Sequence, residues 1–146
     1  MQLEVKRTVV TVGDIKAQRW GRIVNISALA ARKTGNTVGS IRNVAVAALS
    51  KNMADEFGPL GINVTVVHPG LTRTERTGPL VAARAAGQGV SAKIIEDQLA
   101  ATNSIVHIVD ANEVADVVAF LCSPRSRAIN GDAIAFGGSG LRSTHC

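Results

Sequence analysis

Ala48-Leu-Ser-Lys-Asn-Met-Ala-Asp-Glu-Phe-Gly-Pro-Leu-Gly-Ile-Asn-Val-Thr-Val-Val-His-Pro-Gly70 is the stretch on which the fold turns. Its first part completes a helical recurrence of apolar residues: Ile41, Ala45, Ala48, Leu49, Met53 and Phe57. Gly58-Pro59 predicts the stop, because glycine suits the left-handed position past a helix end and proline cannot continue the helix. Residues 62–68 are rich in β-branched side chains and predict a strand, broken by Pro69-Gly70. A helix feeding straight into an apolar strand is half of a strand–helix–strand unit.

The flanks supply the rest of the pattern. Upstream, Gly21-Arg-Ile-Val-Asn-Ile-Ser27 reads as a short strand, separated from the helix by a polar, glycine-containing stretch over residues 32–40. Downstream, residues 71–90 are rich in Arg, Ala and Gly and predict a mobile connection with some helix, and residues 91–101 predict a short helix. Asn112 is the expected cap of a further helix carrying Val114, Val117, Val118 and Leu121, which ends at Ser123-Pro124. Ala133-Ile-Ala-Phe136 is the last strand, between Asn130-Gly131-Asp132 and Gly137-Gly138. Strands alternating with helices predict an α/β fold, a partial Rossmann-like parallel sheet of about three core strands flanked by helices. Residues 1–20 stay unassigned: Leu3, Val5, Val9, Val10 and Val12 with Thr8 and Thr11 are strand-like, whereas residues 15–20 resemble the last turns of a helix.

Composition narrows the function classes. A chain of 146 residues with 46% hydrophobic and 18% charged residues belongs with folded proteins. No apolar run is long enough to span a bilayer, and the N-terminus lacks the basic-then-apolar layout of a signal peptide, so a cytoplasmic location without membrane partners is expected. The net charge of +5 is scattered, and three phenylalanines and one tryptophan are not interleaved with basic runs. A solvated basic surface is therefore expected, with no nucleic-acid partner, while phosphate-bearing ligands stay compatible with the charge. Cys122 and Cys146 are expected to be free thiols, Cys122 buried on a helix, and neither cysteines nor the three histidines show metal-ligand spacing.

Four segments in series carry a family resemblance. Trp20-Gly-Arg-Ile-Val-Asn-Ile-Ser27 is similar to the fifth strand of the short-chain dehydrogenase/reductases, which ends in the active-site serine region. The opening stretch from Ala48 to Gly70 resembles the following helix and sixth strand. Pro69-Gly70 with Thr74 resembles the family's Pro-Gly motif. Ile129-Asn-Gly-Asp-Ala-Ile-Ala-Phe-Gly-Gly138 is similar to its closing strand. The resemblance makes residues 21–146 the C-terminal half of a Rossmann-like domain, preceded by the unassigned segment 1–20.

The resemblance implies an NAD(P)-dependent oxidoreductase acting on a small carbonyl or alcohol, in which a tyrosine moves a proton, a lysine four residues on lowers its pKa and a serine steadies the substrate oxygen. In that register Ser27 is retained, Gly39 stands at the tyrosine position and Asn43 at the lysine position. The whole chain contains no tyrosine. Glycine has no side chain and an amide neither titrates near neutrality nor carries charge, so the ordinary route is closed. Pro69, Gly70, Thr72 and Thr74 would meet NAD or NADP, yet no strand followed by a glycine-rich turn and a helix is present to hold the pyrophosphate. The plainer expectation is that Ser27, Thr72 and Thr74 satisfy strand ends and turns. Lys33 or Arg42 could replace the missing cation and His68 could serve as acid or base, though solvated cations and a locally satisfied histidine are the simpler expectations.

Three function classes follow: a truncated, atypical short-chain dehydrogenase/reductase, a non-catalytic oligomerisation or interaction module, or, a distant third, an anion or nucleic-acid binder using the positive charge. Ala45, Ala47, Ala48 and Ala54 give the long helix small faces that allow close approach. An exposed strand edge adds an association hazard, so a homodimer or higher homo-oligomer is expected.

Overall fold

The computed structural model describes residues 12–141. Its centre is a parallel sheet of three strands, β1 (Gly21–Ile26), β2 (Ile62–Pro69) and β5 (Ala133–Phe136), in the order β1-β2-β5. Val24 pairs with Thr65, and Val67 with Ile134. β2 is central and is buried without interruption from Val64 to His68. Both faces of the strand are thus covered, so the polar Thr65 and His68 are buried along with Val64, Val66 and Val67. The α/β expectation, the three core strands and their parallel sense are all present.

Helices connect the strands. α1 (Val12–Gln18) precedes β1, and α2 (Thr37–Phe57) crosses from β1 to β2. A 3-10 turn at Leu29–Arg32 sits between β1 and α2, and Arg32 anchors it to the sheet by donating from Nη2 to the Ala133 carbonyl at 3.0 Å. Ala54 and Phe57 of α2 meet Ile62 and Val64 of β2 in the core, with Ile15, Ile23, Met53 and Leu60 packed around them. Asn130 ties the last strand in: its Oδ1 accepts from the Val64 amide at 2.8 Å, and its Nδ2 donates to the Ala54 carbonyl at 3.3 Å.

Several expectations need correction. Gly58 is right-handed, at φ −54°, and the left-handed residue is Gly61 at φ +79°. Pro59 opens a 3-10 turn at Gly58–Leu60 that prolongs the helix exit, so the reversal lands three residues later. Residues 71–90 are more ordered than a mobile connection, since α3 (Thr77–Gln88) fills them and ends at left-handed Gly89. α3 packs on α4 (Ala92–Ala100) through Val81, Ala85 and Ile95, and Ser91 caps α4. The cap of α5 (Ala111–Leu121) is Asp110, not Asn112, and Glu113 reaches back to its amide at 2.7 Å. Two-residue strands β3 (Thr72–Arg73) and β4 (Val109–Asp110) form a small parallel ladder that the sequence did not suggest. Cys122 is exposed at the C-cap of α5, not buried, because the α5 stripe turns Leu121 inward instead. The strand-like residues 3–11, His145 and Cys146 lie outside the described residues, while Val12 begins α1.

The orientation of α2 matters most for function. Its buried side consists of Gly39, Asn43, Ser50, Ala54 and Phe57, while Val38, Ile41 and Leu49 are 76, 66 and 56% exposed. The apolar stripe legible in the sequence is thus in large part the outward face. The inward face carries Asn43 and Ser50 because β1 and the residue after it offer polar partners: Ser27 donates to Asn43 Oδ1 and Asn25 donates to Ser50 Oγ, both at 2.9 Å.

Candidate functional site

In a parallel sheet, ligands meet the carboxyl ends of the strands. Here those ends are Ser27, Pro69-Gly70 and Gly137-Gly138. The last two approach so closely that a Cβ on Gly70 would come 2.8 Å from Gly137 Cα, and a Cβ on Gly137 would come 2.7 Å from Gly70 Cα. Both glycines are required by this backbone contact. Beside it lies a cleft of about 280 Å³ lined by Ala28, Lys33, Asn36, Pro69, Gly70 and Leu71 among others.

Ser27, Gly39 and Asn43 come together, although they do not line that cleft. Ser27 follows β1 and continues its ladder by donating its amide to the Val67 carbonyl at 2.9 Å. Its hydroxyl oxygen lies 2.9 Å from Asn43 Oδ1 and 3.2 Å from the Asn43 carbonyl, so its single hydrogen is spent on Asn43. Asn43 is 5% exposed, and its Nδ2 donates to the Gly39 carbonyl at 2.7 Å. Gly39 donates its amide to Asn36 Oδ1 at 2.9 Å, the cap of α2. A Cβ on Gly39 would meet that Asn36 side chain at 2.7 Å. In this structure the exposed Asn36 side chain occupies the space beside Gly39, and a larger residue at position 39 would have to turn it aside. The signal for Asn36 was present in the sequence, an asparagine three residues before Gly39, but its consequence was not.

The remaining candidates are turn-formers or lie apart. Thr72 donates its hydroxyl to the Gly70 carbonyl at 3.3 Å, and Thr74 Oγ1 accepts from the Arg76 amide at 3.3 Å. Lys33 is exposed at the cleft, whereas Arg42 is exposed on α2 and does not line it. His68 is 1% exposed, and its Nδ1 has no hydrogen-bond partner among the described residues. Burial, and then the neighbouring Arg32 guanidinium, push its pKa below the ordinary imidazole value, so it is neutral at pH 7. At the far edge His107 Nε2 lies 3.0 Å from Glu113 Oε2, and the carboxyl pKa of Glu113 is lowered by the Asp110 amide first and by His107 second.

The family profile described as Enoyl-(Acyl carrier protein) reductase matches residues 5–138. The chain belongs to the short-chain dehydrogenase/reductase family. Among curated relatives it is 32% identical to the 3-oxoacyl-[acyl-carrier-protein] reductase FabG of Aquifex aeolicus, over 80% of this chain and 44% of that protein. It is 28% identical to the NADPH-dependent reductase BacG of Bacillus subtilis, over 88% of this chain and 51% of the relative. The L-sorbose reductase of Gluconobacter frateurii, solved with NADPH and L-sorbose, shares the fold at a TM-score of 0.83 and 23% identity, over 91% of this chain and 52% of that one. This short-chain dehydrogenase/reductase chain therefore spans about half the length of the relatives it matches.

A nicotinamide dinucleotide supplies the hydride chemistry of such reductases when bound. The described residues do not fit it. Asn43 is buried, uncharged and has its amide already committed to Gly39, so it offers no cation to a ribose. No glycine-rich turn joins the end of a strand to a helix N-terminus among them.

Proposed function

We propose that this chain, which spans about half the length of its relatives, is an atypical short-chain dehydrogenase/reductase in which the ordinary proton-coupled hydride transfer is lost. Its ancestry is that of an NAD(P)-dependent oxidoreductase acting on a small carbonyl or alcohol. Residues 21–146 are the C-terminal half of the family's Rossmann-like domain. The observation that carries this reading is the closed chain of hydrogen bonds from Ser27 to Asn43 to Gly39, with the Asn36 cap filling the space beside Gly39. Ser27 has no free hydroxyl hydrogen for a substrate oxygen, and neither neighbour can exchange a proton with one. Pro69, Gly70, Thr72 and Thr74 are the positions that would meet NAD or NADP by family resemblance, and the described residues hold no glycine-rich turn for its pyrophosphate. A cytoplasmic location accompanies this reading.

The experiment is a titration of the purified 146-residue chain with NADH and NADPH, followed by fluorescence, together with turnover on a panel of ketones and aldehydes. The expected result is a flat titration and no turnover. Saturable binding with reduced-nicotinamide-dependent ketone reduction overturns the proposal.

One observation favours a second reading, a non-catalytic assembly module. Val38, Ile41 and Leu49 form an exposed apolar face on α2, interleaved with the small residues Ala45 and Ala48. That face suits another copy of the same helix in a homodimer or higher homo-oligomer. Light scattering across concentration separates the two readings, and a strictly monomeric chain removes the second.

A further inference from the structure

The opposite end of the sheet, where β1 and β2 begin, carries a second and larger cleft of about 520 Å³. Three arginines line it, Arg19, Arg22 and Arg127, and among the described residues no carboxylate does. They come from three places far apart in sequence: the bend after α1, the second residue of β1 and the turn before Asn130. Six residues of parallel strand, about 20 Å at 3.3 Å per residue, separate this end from Ser27.

The cleft is organised. Arg22 donates from Nη1 to the Gly21 carbonyl at 2.9 Å and to Asn63 Oδ1 at 3.2 Å, which fixes the guanidinium. Its Nε is buried without a hydrogen-bond partner, and the Trp20 ring lies 5.3 Å from its Cζ. Asn63 is held in turn, since its Nδ2 donates to the Arg127 and Ile129 carbonyls, both at 2.8 Å. Arg19 takes a left-handed conformation, φ +50°, and donates from Nη2 to the Pro59 carbonyl at 3.3 Å. None of the three arginines is in an ion pair among the described residues. Three like charges gathered in one cleft repel each other, and each keeps unused N–H donors in a planar fork.

We propose that this cleft binds a small phosphate-bearing anion. Guanidinium forks match the oxygens of a phosphoryl group in pairs, and a cleft of this size accepts a diphosphate or a phosphorylated metabolite. Binding relieves the mutual repulsion of the arginines and satisfies donors that water alone serves otherwise. The site is independent of the proposed loss of hydride transfer at the other end of the sheet.

Trp20 is the only tryptophan in the chain and lines the cleft, so it reports on occupancy. Inorganic pyrophosphate titrated at constant ionic strength should change its fluorescence saturably. Arg127→Gln and Arg19→Gln, both at exposed positions, should each raise the midpoint at least tenfold while leaving the far-ultraviolet circular dichroism unchanged. Calorimetric titration of Trp20→Phe with pyrophosphate provides a second readout and should retain binding within a few fold. A linear response, the same response to matched sodium chloride, or unchanged midpoints in both arginine variants would overturn the proposal.

Discussion

Replacing Asn43 by alanine tests whether the interior of α2 holds the closed network seen at the candidate site. Asn43 is 5% exposed and makes two side-chain hydrogen bonds, accepting from Ser27 Oγ at 2.9 Å and donating to the Gly39 carbonyl at 2.7 Å. Each is worth about 1 kcal/mol net. The Ser27 hydroxyl keeps the Asn43 backbone carbonyl at 3.2 Å, so no donor is fully stranded. Alanine recovers about 0.5 kcal/mol through its better helix propensity. The expected loss is therefore about 1–2 kcal/mol, or about 3–6 °C in Tm for a chain of this length. Urea unfolding followed at 222 nm measures it. Ser27→Ala should cost about 1 kcal/mol, and the double variant less than the sum by about 0.5–1 kcal/mol, because the shared bond is lost once. An Asn43→Ala change within about 0.3 kcal/mol of the parent, or strictly additive variants, would refute the network and with it the observation that carries the proposed loss of catalysis.

Three further outcomes are expected. Gly61→Ala should destabilise well beyond Gly89→Ala: both are left-handed, but a Cβ at Gly61 runs into the Arg19 carbonyl oxygen, whereas Gly89 has open space, so only about 1–2 kcal/mol of backbone strain applies there. Paired thermal melts decide it, and equal shifts count against the packing at Arg19. Ile41→Asp, at a position 66% exposed, should leave the monomer's stability within about 0.5 kcal/mol of the parent while lowering any oligomer population; light scattering and melting together test this. His68 titrates in the unfolded chain near its ordinary value of 6.5 and at a lower pH when folded. The unfolded state therefore takes up its proton first as pH falls, so stability drops below about pH 6.5 and levels off only beneath the lowered folded value. Urea midpoints compared at pH 8 and 5.5 should differ less in His68→Gln than in the parent, and an equal difference removes the assignment.

The sequence by itself determined the three core strands and their parallel arrangement, though not the short β3–β4 ladder. A β-branched run behind a glycine-proline stop can only bury itself between neighbours, and periods of two and of 3.6 residues are local properties. It also determined that no phenol exists anywhere in the chain to carry the family's proton, since composition cannot be altered by folding. Tertiary structure decided which side of α2 faces inward. Ile41, Ala45 and Leu49 have helical spacing whichever way the helix turns, and only the polar groups on β1, Asn25 and Ser27, select the face bearing Asn43 and Ser50. It likewise decided that Asn36 fills the room beside Gly39, and that Arg19, Arg22 and Arg127 converge, because charges as far apart in sequence as positions 19 and 127 share a cleft only once the sheet has brought the strand beginnings together.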